Sequence, residues 1–146
     1  MNSFSLWNLF TTDVITAIAS IVLVVFSVMS WAVIIEKIRL FNAAKRKKPT
    51  GTPENAIKPF DKNLWFLSMV AYVSPFIGLF GTVWGVMDSF ASIGANQSVS
   101  IGVIAPGLAI ALGTTALGLI VAIPAAIAHQ VFSKRADDLY DALGGK

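Results

Sequence analysis

Three long stretches of this chain carry no Asp, Glu, Lys or Arg. They are Val14 to Ile35 (22 residues), Asn63 to Met87 (25 residues) and Ser89 to Ser133 (45 residues). A helix that crosses a bilayer needs about 20 apolar residues. Within hydrocarbon it must satisfy every backbone N–H and C=O by itself. The first two stretches fit one crossing each. The third is too long for one, and its first part, Ala91 to Ser100, is polar and Gly/Ser-rich, so it reads as a loop. The expected fold class is therefore all-α, an integral membrane protein with three transmembrane helices at 14–36, 63–90 and 106–132. Around them lie an N-terminal segment 1–13, a basic connector 37–62, a loop 91–105 and a tail 133–146.

Composition supports this and excludes other classes. Of the 146 residues, 55% are hydrophobic and 13% charged, with mean hydropathy +0.73. Soluble domains carry about 25% charged residues, and disordered chains combine low hydrophobicity with high charge. There is no cysteine, hence no disulfide, no thiolate metal site and no cysteine nucleophile. One histidine does not build a zinc or haem centre. No metal, no cofactor and no enzymatic activity are expected, because no nucleophile–base pair is apparent.

The basic residues give the orientation. Eight of eleven fall between Lys37 and Lys62, and the other three, Lys134, Arg135 and Lys146, follow the last crossing. Cytoplasmic segments hold the Lys/Arg excess. The expectation is an outside N-terminus, an inside connector, an outside 91–105 loop and an inside C-terminus. A signal peptide would need a basic flank before a shorter apolar core. Here only Asp13 precedes the first stretch closely and the basic cluster follows it, so an uncleaved anchor is expected. The run Lys45–Lys48 reads as a topology determinant or anionic-lipid contact, not as a nucleic-acid site. Trp7, Phe10, Phe60, Trp65, Phe90 and Tyr140 lie where interfacial aromatics belong. Thr50 to Asp61, with Pro53 and Pro59 inside it and Pro49 just before, reads as an irregular connector.

The second and third crossings are rich in small residues, which permit close backbone approach where lipid gives helices no hydrophobic drive to associate. Gly78, Gly81 and Gly85 punctuate the second. Ala105, Ala109 and Gly113 form one stripe on the third, and Ala111, Thr115 and Gly118 a neighbouring one. These faces exceed what two helices use between themselves, so an oligomer is expected. The first crossing, crowded with Ile, Val, Leu and Phe, suits lipid. Pro75 and Pro124 each free a backbone carbonyl, and Pro106 is placed to open the third helix.

No acid or amine lies at mid-membrane. Asp88 sits near the outer end of the second crossing, and hydroxyls make up the rest of the inventory. Thr82 lies eight residues before Phe90, and Thr115 nine after Pro106. At about 1.5 Å per residue both are roughly 12–14 Å below the outer surface. Either each bonds its own i−4 carbonyl, or the two face one level and together hold water or a carboxylate.

Ser74-Pro75-Phe76-Ile77-Gly78-Leu79-Phe80-Gly81-Thr82-Val83-Trp84-Gly85-Val86-Met87 closely resembles the second-helix signature of the TolQ/ExbB/MotA family. Ala105 to Leu112 and Thr115 to Ala125 resemble its third-helix signature. Ser30 to Ile35 with Asn42-Ala43-Ala44 is similar to the first-helix exit of the TolQ branch, ahead of ExbB. The resemblance implies a multi-pass protein of the bacterial inner membrane, driven by the proton motive force. Such proteins form a homo-oligomeric ring, a pentamer, around a single-helix partner of the TolR or ExbD type, whose aspartate carries the proton. The family's pore threonines fall on Thr82 and Thr115. Pro75, Gly78, Gly81, Gly85, Ala109, Gly113 and Gly118 are then candidates for partner or subunit packing, and Asp88 for an accessory acid. The Tol-Pal role in envelope constriction and cell division comes first, then protein transport for nutrient import, then flagellar torque.

Two departures matter. Ile110 stands where many relatives carry Glu. The connector is much shorter than theirs, and with the end at Gly144-Gly145-Lys146 it reads as a chain reduced naturally or by truncation. Both favour the alternative of a passive membrane scaffold that does not conduct.

Overall fold

The computed structural model describes residues 14–46, 58–96 and 101–144. They form three helices: α1 (Val14–Arg46), α2 (Leu64–Asn96) and α3 (Ile101–Ala142). All three are long and apolar enough to cross a membrane. A helical turn at residues 58–61 leads into α2 through Asn63, whose φ is 67°. Asn tolerates this left-handed geometry better than most residues. Its carbonyl accepts from the Phe66 and Leu67 amides at 3.1 and 3.4 Å, which starts α2. Trp7, Phe10, Lys47 to Gly51, Pro53 and Lys146 lie outside the described residues, as do residues 97–100 of the expected loop.

The helices outrun the expected crossings. α2 continues through Asn96, and α3 starts at Ile101 and runs on through most of the expected tail. Pro106 is therefore inside α3, not at its first position. Hydropathy marks where a helix leaves lipid, not where its hydrogen bonds stop. At 42 residues α3 is about 63 Å long, twice a hydrocarbon core of about 30 Å. Arg135, Ala136 and Leu139 are good helix formers. Gly144, at φ 79°, follows the helix end in the left-handed geometry glycine supplies at C-caps.

α2 and α3 form the principal pair, and α1 packs on both. The half of the α2–α3 contact toward the loop that joins them is a seam of small residues. Ser89 faces Gly107, Gly85 faces Ala111, Gly81 faces Thr114 and Gly78 faces Gly118, in steps of three and four along two antiparallel helices. The half toward the connector is filled instead by Leu64, Leu67, Val70, Val121, Ala125 and Phe132, with Leu23 and Ile34 from α1. α1 turns Thr16, Ala19, Ser20, Leu23, Ser30, Ile34 and Lys37 inward and leaves Ile18, Ile21, Val25, Val28 and Ile35 exposed. The apolar side chains of α1 are therefore divided between a packed face and an exposed one. Trp65, Phe90 and Tyr140 are exposed, as interfacial aromatics require. Phe60 is not: it is buried and packs on Phe41 with ring centroids 4.7 Å apart, so it belongs to the core at the connector end.

Candidate functional site

Thr82 on α2 and Thr115 on α3 meet. Their hydroxyls are hydrogen-bonded to each other, and both side chains are half-buried. The antiparallel seam sets the two residues at one height. Gly78 and Gly118 allow this closeness: a Cβ on Gly78 would lie 2.7 Å from the Thr114 carbonyl oxygen, and one on Gly118 2.7 Å from that of Ser74.

The hydroxyls cross between helices. Thr82 donates to the carbonyl of Ala111 at 2.7 Å, four residues before Thr115. Thr115 reaches the carbonyl of Gly78 at 3.2 Å, four residues before Thr82. Thr82 keeps its own i−4 contact to Gly78 only at 3.3 Å. Simple i−4 self-bonding is thus the weaker part of a shared arrangement.

Thr114 completes the cluster. It is fully buried, donates to Ala111 at 2.7 Å or Gly78 at 3.1 Å, and lies 3.4 Å from the Thr82 oxygen. Three hydroxyls hold three protons, and each also offers lone pairs. The carbonyls of Gly78 and Ala111 each face more than one of these donors, so one hydroxyl can turn away without orphaning a carbonyl. Thr114 appears in the sequence only as one hydroxyl among many. Its adjacency to Thr115 was the signal, since consecutive helical residues lie 100° apart and both can border one seam.

The site opens on one side. Phe76, Ile77 and Phe80 of α2 line a groove with α1. At 100° per residue Thr82 lies on roughly the opposite side of α2. Thr115 relates in the same way to Pro124, Val131 and Arg135, which line the groove between α3 and α1. The two threonines therefore border the face away from α1, flanked by exposed Leu79, Val83, Leu112 and Leu119.

The other candidates divide. Gly78, Gly81, Gly85 and Gly118 are buried between α2 and α3 of the same chain. Their close approach is used between α2 and α3 within the chain. Ala109 is exposed and Gly113 half-buried, so that stripe is not consumed in the same way. Pro75 is half-buried within α2. Asp88 is exposed and six residues from Thr82, about 240° around the helix, so it is not part of the cluster. Ile110 is half-buried.

Two further polar groups stand out. Ser74 is fully buried, and its hydroxyl has no partner. It lies one turn along α2 from Gly78, on the same side. Lys37, read from the sequence as one cation of a basic connector, is 0% exposed. Its Nζ donates to the Pro59 carbonyl at 2.8 Å and ties α1 to the turn before α2. Beside it, Asn63 donates to Glu36 at 3.4 Å.

A profile described as the MotA/TolQ/ExbB proton channel family matches residues 50–143. The chain is 44% identical over 79 residues to the Biopolymer transport protein ExbB of Salmonella typhimurium, covering 54% of this chain and 32% of that protein. It is 48% identical over 79 residues to the Tol-Pal system protein TolQ of Pseudomonas aeruginosa, covering 54% and 34%. Over 68 residues it is 50% identical to ExbB of Pseudomonas putida, covering 47% and 21%. The match thus spans about a third or less of each of these relatives.

Proposed function

Since this chain belongs to the MotA/TolQ/ExbB proton channel family, we propose that it is a subunit of an energy-transducing complex driven by the proton motive force. Three helices able to span a bilayer, in a membrane proton-channel family, make it a multi-pass membrane protein. We assign it to the bacterial inner membrane, as a transducer and not an enzyme. It rings a single-helix partner of the TolR or ExbD type, in a homo-oligomer for which a pentamer is the expected count. Of the processes served, the Tol-Pal type leads.

The observation that carries this reading is the crossed Thr82–Thr115 pair on the face away from α1. An ionised carboxylate at membrane depth is expensive, and this chain has no acid there. A hydroxyl can donate to a partner's carboxylate and accept from its protonated form. Because the carbonyls of Gly78 and Ala111 have alternative donors, Thr82 or Thr115 can turn toward the partner while the helix contact persists. The ionised partner aspartate is tolerable beside the pair. Once protonated, it can leave for lipid-like surroundings. Repeated cycling then drives motion of ring against partner.

The test is proton flux in vesicles holding the chain and its partner. Thr82→Val and Thr115→Val, each nearly isosteric, should each reduce flux at least tenfold while the complex still assembles. Unchanged flux in the double variant removes the pair from the path. The second reading, a non-conducting scaffold, draws on Ile110, an aliphatic side chain one turn from Thr114 on α3. It predicts an assembled complex with no flux in the unaltered protein.

A further inference from the structure

Outside the threonine cluster, the feature that points furthest is a pair of cavities that share one cation. An apolar groove runs between α1 and α3, lined by Trp31, Ile34, Ile38, Ile123, Ile127 and Val131, with Arg135 at its end. Beyond it lies a second cleft, lined by Phe41, Asn42, Ala44, Leu139 and the same Arg135. The guanidinium sits 5.9 Å over the Phe41 ring, and that ring is stacked on Phe132 at 5.7 Å. A stacked aromatic pair thus holds the cation at the junction of the two cavities. Among the described residues no ion pair engages Arg135. Asp137 and Asp138, which follow it on α3, are both exposed, as is Lys134.

Length matches one leaflet. From Ile123 to Arg135 is twelve residues, about 18 Å along the helix. Half of a hydrocarbon core is about 15 Å. The groove is therefore apolar over the depth of a single leaflet, and its cation stands where headgroups begin.

We propose that groove and cleft form one binding site for an anionic phospholipid of the leaflet on the connector side. One acyl chain lies along Ile34, Ile123 and Ile127, and the phosphate bonds Arg135, with the headgroup in the cleft beside Asn42. A planar guanidinium pairs with two phosphate oxygens at once, which selects for the charged head, while the groove accepts any saturated chain. This assignment does not depend on proton conduction.

The test uses the full chain reconstituted in vesicles of three parts phosphatidylcholine to one part phosphatidylglycerol, then released for native mass spectrometry. The unaltered protein should retain one phosphatidylglycerol about fivefold in excess of its share, the preference that one basic group near an anionic surface supplies. Arg135→Gln should retain lipid with no preference. Ile127→Trp, which fills the groove, should lose retained lipid of both kinds. Lys134→Gln is the charge-matched control and should behave as unaltered protein. Equal loss of preference in Lys134→Gln would reduce the effect to diffuse surface charge and overturn the site. So would an unchanged preference in Arg135→Gln. An Ile127→Cys variant that forms disulfide-linked dimers in membranes would seat a second copy of the chain in the groove and also overturn it.

Discussion

A threonine at a helix–helix contact can serve the contact or something beyond it, and exposure separates the two here. Thr114 is fully buried and its bonds all end on Gly78, Ala111 and Thr82. Thr82 and Thr115 are half-buried and can turn outward. Thr114→Val should therefore weaken the fold and lower flux less than Thr82→Val or Thr115→Val does in complexes that still assemble, because the Gly78 carbonyl keeps two donors while Ala111 loses its alternative one. Interhelical hydrogen bonds in membranes contribute about 0.6 kcal/mol on average, so a loss of about 0.5–1.5 kcal/mol is expected in detergent unfolding followed by circular dichroism. A Thr114→Val protein of unchanged stability but abolished flux would reverse the division of roles. Equal depth for Thr82 and Thr115 was legible in the sequence, because rise per residue is fixed. The crossing of their hydroxyls onto each other's helix was not, since it depends on how closely the two axes approach.

That approach is an element-scale property. The small residues of the second crossing announced a close helix contact but left its partner open, because small residues suit any neighbour. The structure directs Gly78, Gly81 and Gly85 at α3. Large side chains fill the half of the bundle toward the connector and small ones the half toward the α2–α3 loop, and the polar cluster lies within the small-residue seam. Gly78→Ala puts a Cβ 2.7 Å from a backbone carbonyl that no rotamer change can move. Overpacking of this kind costs about 1–3 kcal/mol. The variant should unfold that much more easily and lose flux as well, because separated helices cannot keep the Thr82–Ala111 bond. Unfolding and flux both unchanged would mean the seam tolerates a wider spacing than its geometry implies. Helix ends were the least legible part. Pro106 marks a helix start by its chemistry, yet α3 begins five residues earlier, at Ile101.

For the whole molecule, three helices leave most of their apolar side chains exposed, which suits a surface that meets lipid or other subunits. The orientation rests on the Lys/Arg distribution and is testable, because the chain has no cysteine of its own. A membrane-impermeant maleimide should label Gly102→Cys in intact spheroplasts and label Lys62→Cys only after lysis. Both residues are exposed, and the reverse pattern would invert the topology. By itself the sequence determined the number of crossings, their helical nature and the level of Thr82 and Thr115. Those follow from charge exclusion by hydrocarbon, backbone satisfaction and a fixed rise, all properties of one segment at a time. Tertiary structure alone decided that Thr114 joins the pair, that the glycines are used within the chain, that Phe60 and Lys37 are buried, and that Arg135 caps a groove. Each of these depends on the relative rotation and separation of two helices, and no single segment encodes either.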